Sequence, residues 1–423
     1  MNAGKGISRR NFIGKTAAAT AAFTIVRRHV LGGPGFTAPS DMVNVAGIGL
    51  GNQGGSDIRN IANPDEPIGR GQGLPGITPP RRQRRMSANQ MGDGGGPKTF
   101  KHANIYALCD VDHEYAGHVL AGYPKAKVYH DFREMIDKEK ELARKTGVVT
   151  QMGNQGHNIE GTMQTVEWIQ WGAIGDVTEV HMWSNRPEGV EVPDHMKYDL
   201  WLGPAPEKPY HPDVTHFAWR GLWDYGTGAM GDMGAHTFDA PIWALKLGMP
   251  TKIQATTTPF TNDYLPQAEN VMYEFAAREG MPPVKVTWSD GGIKPFRPAE
   301  LEADRQLREA LYIGTKGMIQ HGTHGAMPEL IPENPDWKAP EPWLPRPSSV
   351  YVDFIEAIKE GRKAHNDFEI ASRLTEIMLL TNMAVISQQV NKTLEYDAEN
   401  MKISNLEEAN ESFHYEYRSV WTL

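Results

Sequence analysis

The sequence predicts an α/β protein in two parts: an N-terminal nucleotide-binding domain, and a C-terminal α/β domain carrying an open, mostly antiparallel sheet. Three observations predict it. VNVAGIGLGNQGGSDIRNI (43–61) runs from a β-branched apolar strand through a glycine-crowded turn into a helix. NIYALCDVD (104–112) is a second apolar run and ends in acids. From residue 251 onward, TKIQATTTPF, ENVMYEFAA, VKVTWSDGG and ALYIGTKGMIQHG follow one another as strand candidates. Strand, glycine turn, helix and strand open a Rossmann-type NAD(P)-binding domain, and a run of strands with helices to one side makes an open sheet.

The first 40 residues precede this fold. Arg9 and Arg10, then Phe12 and Lys15, lead into a modest apolar stretch from Thr16 to Val26. That stretch is too short to span a bilayer. A twin-arginine pair before a weak apolar region reads as a Tat-type export signal, so residues 1–40 are taken as signal and linker and the protein is expected in the periplasm. No transmembrane helix is expected after it. The 423 residues are 39% hydrophobic and 22% charged, as in soluble proteins of two or three domains. A formal charge of −9 offers no basic footprint for general nucleic-acid binding. Cys109 is the single cysteine, which excludes an intramolecular disulfide and a cysteine-based zinc site.

The nucleotide-binding domain is expected over 41–153, with strands at 43–48, 104–110, 127–129 and 148–153 and a helix at 113–121. Residues 63–100, rich in Gly, Pro and Arg and without periodicity, read as an inserted surface loop. Within it RRQRR (81–85) is either a solvated run or an anion contact. The C-terminal substrate and oligomerisation domain is expected over 154–423. There a helix ending at Gly172 leads to a strand, DVTEVHMWSN (176–185). Helices at 163–172 and 236–247 would lie on one face of its sheet, and 351–361 and 371–390 form late helices.

Four groups of residues carry candidate chemistry. Gly47, Gly49, Leu50, Gly51, Asn52 and Gln53 form the turn where a pyrophosphate can approach a helix N-terminus. The glycine spacing is imperfect, with Gln53 or Gly54 near the third position. Asp110 ends the second strand, where a carboxylate accepts both adenosine ribose hydroxyls and repels a 2′-phosphate; NAD is therefore favoured over NADP. Asp112 is the alternative carboxylate. In WDYGTGAMGDMGAHTFDAPIWALKLG (223–248), Asp232 and His236 stand four apart and share a face if the segment is α-helical. They read as a carboxylate and an acid/base histidine, as a metal-binding pair, or as a helix cap and a satisfied core histidine. Asn154 and His157 follow a strand end; His181, Trp183, Asn185 and Arg186 follow the next, and suit a polyol or sugar. His157, His181 and His236 together offer a metal-dependent lyase as a further possibility.

Taken together, GIGLGNQGG, the Asp110 strand end, MGNQGH, GTGAMGDMGAHTFDAPIWALKLG and YIGTKGMI resemble the Gfo/Idh/MocA oxidoreductases, in particular their exported, Tat-signal-bearing branch. The resemblance runs from residue 42 to the C-terminus. It implies a Rossmann domain followed by an open-sheet domain used for oligomerisation, an NAD(H) or NADP(H) cofactor, and a sugar, inositol or related polyol as substrate. The family's D-x-G-x-H pair falls on Asp232 and His236, with His236 at the acid/base position. Asn154 matches the polar loop after the family's last Rossmann strand. From the residues themselves, Asn154, His157, Trp183, Arg186 and Trp223 are the substrate-binding candidates, and no metal is expected.

One departure is plain. Family members carry a strand–helix–strand block ending in Glu-Lys-Pro before the helix that resembles ELARKTG. Here FREMIDKEK runs straight into ELARKTG at Lys140–Glu141, and no Glu-Lys-Pro occurs in the 423 residues. The resemblance therefore implies a sheet short of two strands and a pocket without the family lysine. Lys197 and Arg186 are substitutes by charge alone. Two functions follow: an NAD-dependent oxidoreductase acting on a sugar, inositol or glycoside hydroxyl, or a catalytically impaired homologue that binds sugar or nucleotide without turnover.

Overall fold

The computed structural model describes residues 42–62, 103–136, 149, 151–184, 197–208, 218–347, 349–413, 417–419 and 421. The signal, the insertion at 63–100, the Lys140–Glu141 junction and Arg186 lie outside them.

The N-terminal sheet has three strands in the order β1 (Val43–Ile48), β2 (Ala103–Cys109), β3 (Lys127–Tyr129), both pairs parallel. Helix α1 (Asn52–Ile61) leaves the turn after β1 and lays Ile58 and Ile61 on the sheet, with Val43, Val45, Ile105 and Leu108 beneath. Ile355 of α4 (Val350–Glu360) closes this small core from the far end of the chain, and the Tyr351 hydroxyl donates to Asp57 at 2.7 Å. Among the described residues β1 is paired on one side only.

Two expectations for this region are corrected. The strand expected at 148–153 is not formed at its described residues, because Met152 N donates to Asn366 O at 2.9 Å instead of to a neighbouring strand. The helix expected at 113–121 is confined to Gly117–Leu120. Asp112 accepts from Tyr115 N at 2.9 Å, and this side-chain turn occupies the residues before it.

The second sheet has nine strands in the order β10-β9-β8-β4-β7-β6-β5-β11-β12, antiparallel throughout except for β4 against β7. The central four are β4 (Val177–Trp183), β7 (Val284–Ser289), β6 (Glu269–Phe275) and β8 (Ala310–Gly314). β5 is Lys252–Thr257 and β9 Gly317–His321; β10 is Glu329–Ile331, β11 Leu394–Asp397 and β12 Lys402–Ile403. The segment expected as one strand from 310 is thus a hairpin turning at Thr315–Lys316. The alternation in β6 puts Val271, Tyr273 and Phe275 inward. They meet α2 (Glu160–Trp171), α3 (Asp239–Ala244) and α5 (Phe368–Ser387) on one face, in a core that includes fully buried Trp288. Removing the Trp288 side chain would cost about 3–5 kcal/mol. Helix α5 and the turn after it are long and apolar enough to cross a membrane, but Leu374, Ile377, Leu380 and Val385 are buried against this sheet, and Thr381 bonds the Tyr273 hydroxyl.

Candidate active site

The glycine turn is built by close approach. Gly49 has φ +78° and donates its N–H to Cys109 O at 2.9 Å, tying the turn to the end of β2. Gly51 is the N-cap of α1, and a Cβ on Gly54 would stand 1.8 Å from the Gly49 carbonyl oxygen. The fingerprint is therefore Gly49-x-Gly51-x-x-Gly54, in perfect spacing. Of the two third positions open in the sequence it is Gly54, not Gln53, that is used, and Gly47 instead packs on Ile58. The Asp110 carboxylate bridges the two strand ends, accepting from Leu50 N at 2.5 Å and Asp112 N at 2.9 Å. Leu50 contributes only this backbone group, since its side chain is fully buried. Gln53 donates to Asp57 at 2.7 Å.

These residues fit a dinucleotide. A ten-residue helix begins at the glycine turn, no atom lies within 4 Å of a Cβ placed on Gly49, and a carboxylate stands at the next strand end.

The second half of the site gathers around Asn154. The Asn366 amide donates to the carbonyls of Met152 and Asn154, and a 3-10 turn, Gln155–Asn158, places His157 beside it. The Asn154 amide nitrogen donates to Ala235 O at 2.9 Å and to Asp239 Oδ2 at 3.0 Å. Two acceptors on that side fix the amide orientation, so its oxygen faces His236 Nδ1 at 2.8 Å and accepts from it. Neutral His236 then carries its proton on Nδ1 and its lone pair on Nε2. The His324 ring lies 4.1 Å from the His236 ring, on a backbone with φ +58°. Such strain persists where surrounding packing enforces it. Here α2 comes so close that a Cβ on Gly161 would meet Gly325 O at 2.0 Å.

Beneath Asn154 lies an ion pair. His157 Nδ1 is 2.9 and 3.0 Å from the two Asp239 oxygens, with both side chains almost fully buried. Burial works against a charged imidazole, but the Asp239 carboxylate and a backbone bond to His365 outweigh it and hold the His157 pKa above its ordinary value. The ring stacks on Trp243 at 4.8 Å.

Several sequence expectations change at this point. His157 and Asn154, expected to touch substrate, are 3% and 1% exposed and position His236 from below. Trp183, also expected there, is 2% exposed among Leu301, Leu311 and Ile331. Trp223 donates its indole N–H to Thr261 O at 3.0 Å and packs edge-on against Phe260. Asp232 pairs with Arg220 at 3.1 Å. It lies in a π-helical turn, Met230–Gly234, so α-helical spacing does not govern its relation to His236. His181 bonds Glu179 at 3.2 Å, and among the described residues no group of three metal-type ligands exists, so the triad of His157, His181 and His236 is not assembled. Lys197 donates its backbone N–H to Val111 O at 3.1 Å, beside the end of β2. Asp239 lies three residues after His236 in the same glycine-rich segment; His324, in HGTHG, has no motif around it.

A parallel sheet with a glycine cradle, joined to a large sheet beside which the helical turn Ala235–Thr237 holds His236 against Asn154, places the chain in the Rossmann-type dinucleotide-binding class. Residues 178–423 match the family described as oxidoreductase family, C-terminal alpha/beta domain. That is more than half of the chain, and the chain belongs to this family, the Gfo/Idh/MocA oxidoreductases. Among solved structures it is similar to the WlbA dehydrogenase from Bordetella pertussis in complex with NADH and UDP-GlcNAcA, at 14% identity and a TM-score of 0.50, covering 84% of this chain and 99% of that one. The aldose-aldose oxidoreductase from Caulobacter crescentus complexed with glycerol gives 11% identity and a TM-score of 0.47, covering 84% and 99%. An NAD-binding oxidoreductase from Klebsiella pneumoniae gives 13% identity and a TM-score of 0.47 with the same coverage. No curated protein sequence matches.

Proposed function

We propose that the protein is an NAD-dependent oxidoreductase acting on a hydroxyl of a sugar, inositol or glycoside, with His236 as acid/base. The observation that carries this is the bond from His236 Nδ1 to a fixed Asn154 amide, which leaves the basic lone pair on Nε2. Bound NAD would supply the hydride acceptor, held by the turn at Gly49, Gly51 and Gly54 and by Asp110. His236 Nε2 takes the hydroxyl proton as the carbonyl forms, and returns it in the reverse direction. Asn154 keeps the tautomer, Asp239 orients Asn154, and His157 balances the Asp239 charge. Asp110 favours NAD over NADP through its charge beside the ribose position. The Arg9–Arg10 pair and the apolar stretch after it support export by the Tat route to the periplasm, and the open sheet supports a homo-oligomer.

The missing Glu-Lys-Pro block supports one competing reading, a homologue that binds without turnover. The test is a screen of aldoses, inositols and glycosides for formation of reduced nicotinamide, run beside calorimetric titration with NAD. Turnover that falls roughly 10²–10⁴-fold in His236→Gln while NAD affinity holds is the expected result. NAD binding without turnover on any substrate would leave the binding homologue. Neither turnover nor binding of NAD or of any of the same sugars by calorimetry, in folded protein, would overturn both.

A further inference from the structure

The His324 ring lies against the His236 ring, with 4.1 Å between centroids and a 34° tilt. That spacing leaves no room for a water molecule between the two faces. Two consecutive left-handed residues put the ring there, His324 at φ +58° and Gly325 at φ +73°. Glycine adopts this conformation freely, whereas a histidine is strained in it. The turn is clamped from both sides. A Cβ on Gly325 would meet Thr162 Oγ1 at 2.0 Å, and a Cβ on Gly156 would meet His324 Cα at 3.2 Å. It is also tied from below. Tyr312 of β8 donates its hydroxyl proton to His321 Nε2 at 3.1 Å, and His321 Nδ1 donates to Gly322 O at 2.7 Å. Burial, with Arg308 adding to it, lowers the His321 pKa to about 4, so this ring is neutral and its single proton serves the Gly322 carbonyl.

The charged groups around the two site rings face partners of opposite sign. Asp239 faces His157, Asp232 faces Arg220, and Glu160 and Glu167 on α2 both face Arg346. Arg308, paired with Glu329, and Glu309 flank Gly322. Helix α5 meets the turn before His236 with the uncharged Met378. Against this balanced background the two imidazoles face each other. Two positive charges at that separation displace each other's titration by at least about 0.7 pH unit, even at the dielectric constant of water.

We propose that His324 is a positioning residue acting through His236: the two rings hold one proton between them, and a charge on His324 keeps His236 neutral. The consequence for catalysis, a His236 ready to take the hydroxyl proton at lower pH, rests on the acid/base reading of His236 given above; the sharing of the proton does not. The test reads protonation in the full chain without NAD or substrate. Histidine carrying carbon-13 at Cε1 is followed by NMR across the imidazole range, the two resonances being assigned by their loss in His236→Gln and His324→Gln. Expected is a rise of the His236 midpoint in His324→Gln and of the His324 midpoint in His236→Gln. The two rises should sum to at least about 0.7 unit, since the repulsion is divided between the rings according to which one yields. His324→Phe, which keeps a ring and removes the charge, should give His236 the same rise as His324→Gln. With a substrate that is turned over, the acid limb of kcat/KM should move up in pH with the His236 midpoint while NAD affinity holds. Midpoints that do not rise in either Gln variant, or a rise in His324→Gln that His324→Phe does not reproduce, would overturn the proposal. The expected rises in a protein that turns over no sugar would uphold the shared proton and count against the acid/base reading alone.

Discussion

Replacing Asp239 by Asn keeps the side-chain shape and removes the charge that faces His157. The two groups are 3% and 5% exposed and meet at 2.9 Å, so the variant breaks a buried ion pair by removing one partner. That typically costs about 3–5 kcal/mol. The new amide oxygen can still accept from His157, which returns about 1 kcal/mol. The net expected loss is therefore about 2–4 kcal/mol, or a urea midpoint lower by roughly 1 M for a slope near 3 kcal/mol/M. The loss is also pH-dependent. Because Asp239 raises the His157 pKa, the pair's contribution is complete below the ordinary imidazole value of about 6.5 and is lost as pH rises through the raised value. Wild-type protein should weaken above that point relative to Asp239→Asn, which lacks the cause of the shift. Urea unfolding at a series of pH values reads both effects. A midpoint shift below about 0.3 M, or identical pH slopes above 6.5, would refute the reasoning.

Gly54→Ala places a methyl 1.8 Å from the Gly49 carbonyl, so it should cost about 1–3 kcal/mol of stability and weaken NAD roughly 5- to 100-fold, measured by unfolding and calorimetry. Asp110→Asn keeps an acceptor for Leu50 N–H but loses the charge; NAD affinity should fall about tenfold and NADP affinity should not, which competitive titration would show. Glu269 and Asp290 are buried neighbours whose pKa values are pushed up by burial, Asp290 to about 6. Their folded values exceed the unfolded ones, so stability falls as pH rises from about 4 through 6 and beyond. Glu269→Gln should remove much of that slope and raise the urea midpoint on the alkaline side of 6, because it takes one of the two facing carboxyls out of the titration.

The sheets were legible because their signals are local. Period-two alternation in ENVMYEF and the glycine turn after VNVAGI each determine a few residues without reference to the rest. The Asn154–His236 half of the candidate site was only partly legible. His236 stood out by its segment, but the groups that bind Asn154 come from residues 235, 239 and 366, and no spacing rule links them. A tryptophan at a strand end, such as Trp183, reads alike whether it faces ligand or core, and only packing places it in the core. The fingerprint has more than one frame in the sequence because five glycines fall within nine residues, and only the contact between Gly49 and Gly54 selects one.

The π-helical turn at Met230–Gly234 amounts to one residue inserted into an otherwise α-helical run. An α-helix advances about 100° per residue, so the segments before and after the turn are out of phase by about that angle. Deleting one residue there would act less as a shortening than as a rotation. The stretch carrying Asp232 and its Arg220 partner would swing around the axis while His236 stayed anchored to Asn154. The turn thus sets the rotational phase between a salt-bridged wall and the ring held by Asn154, independently of either residue's identity.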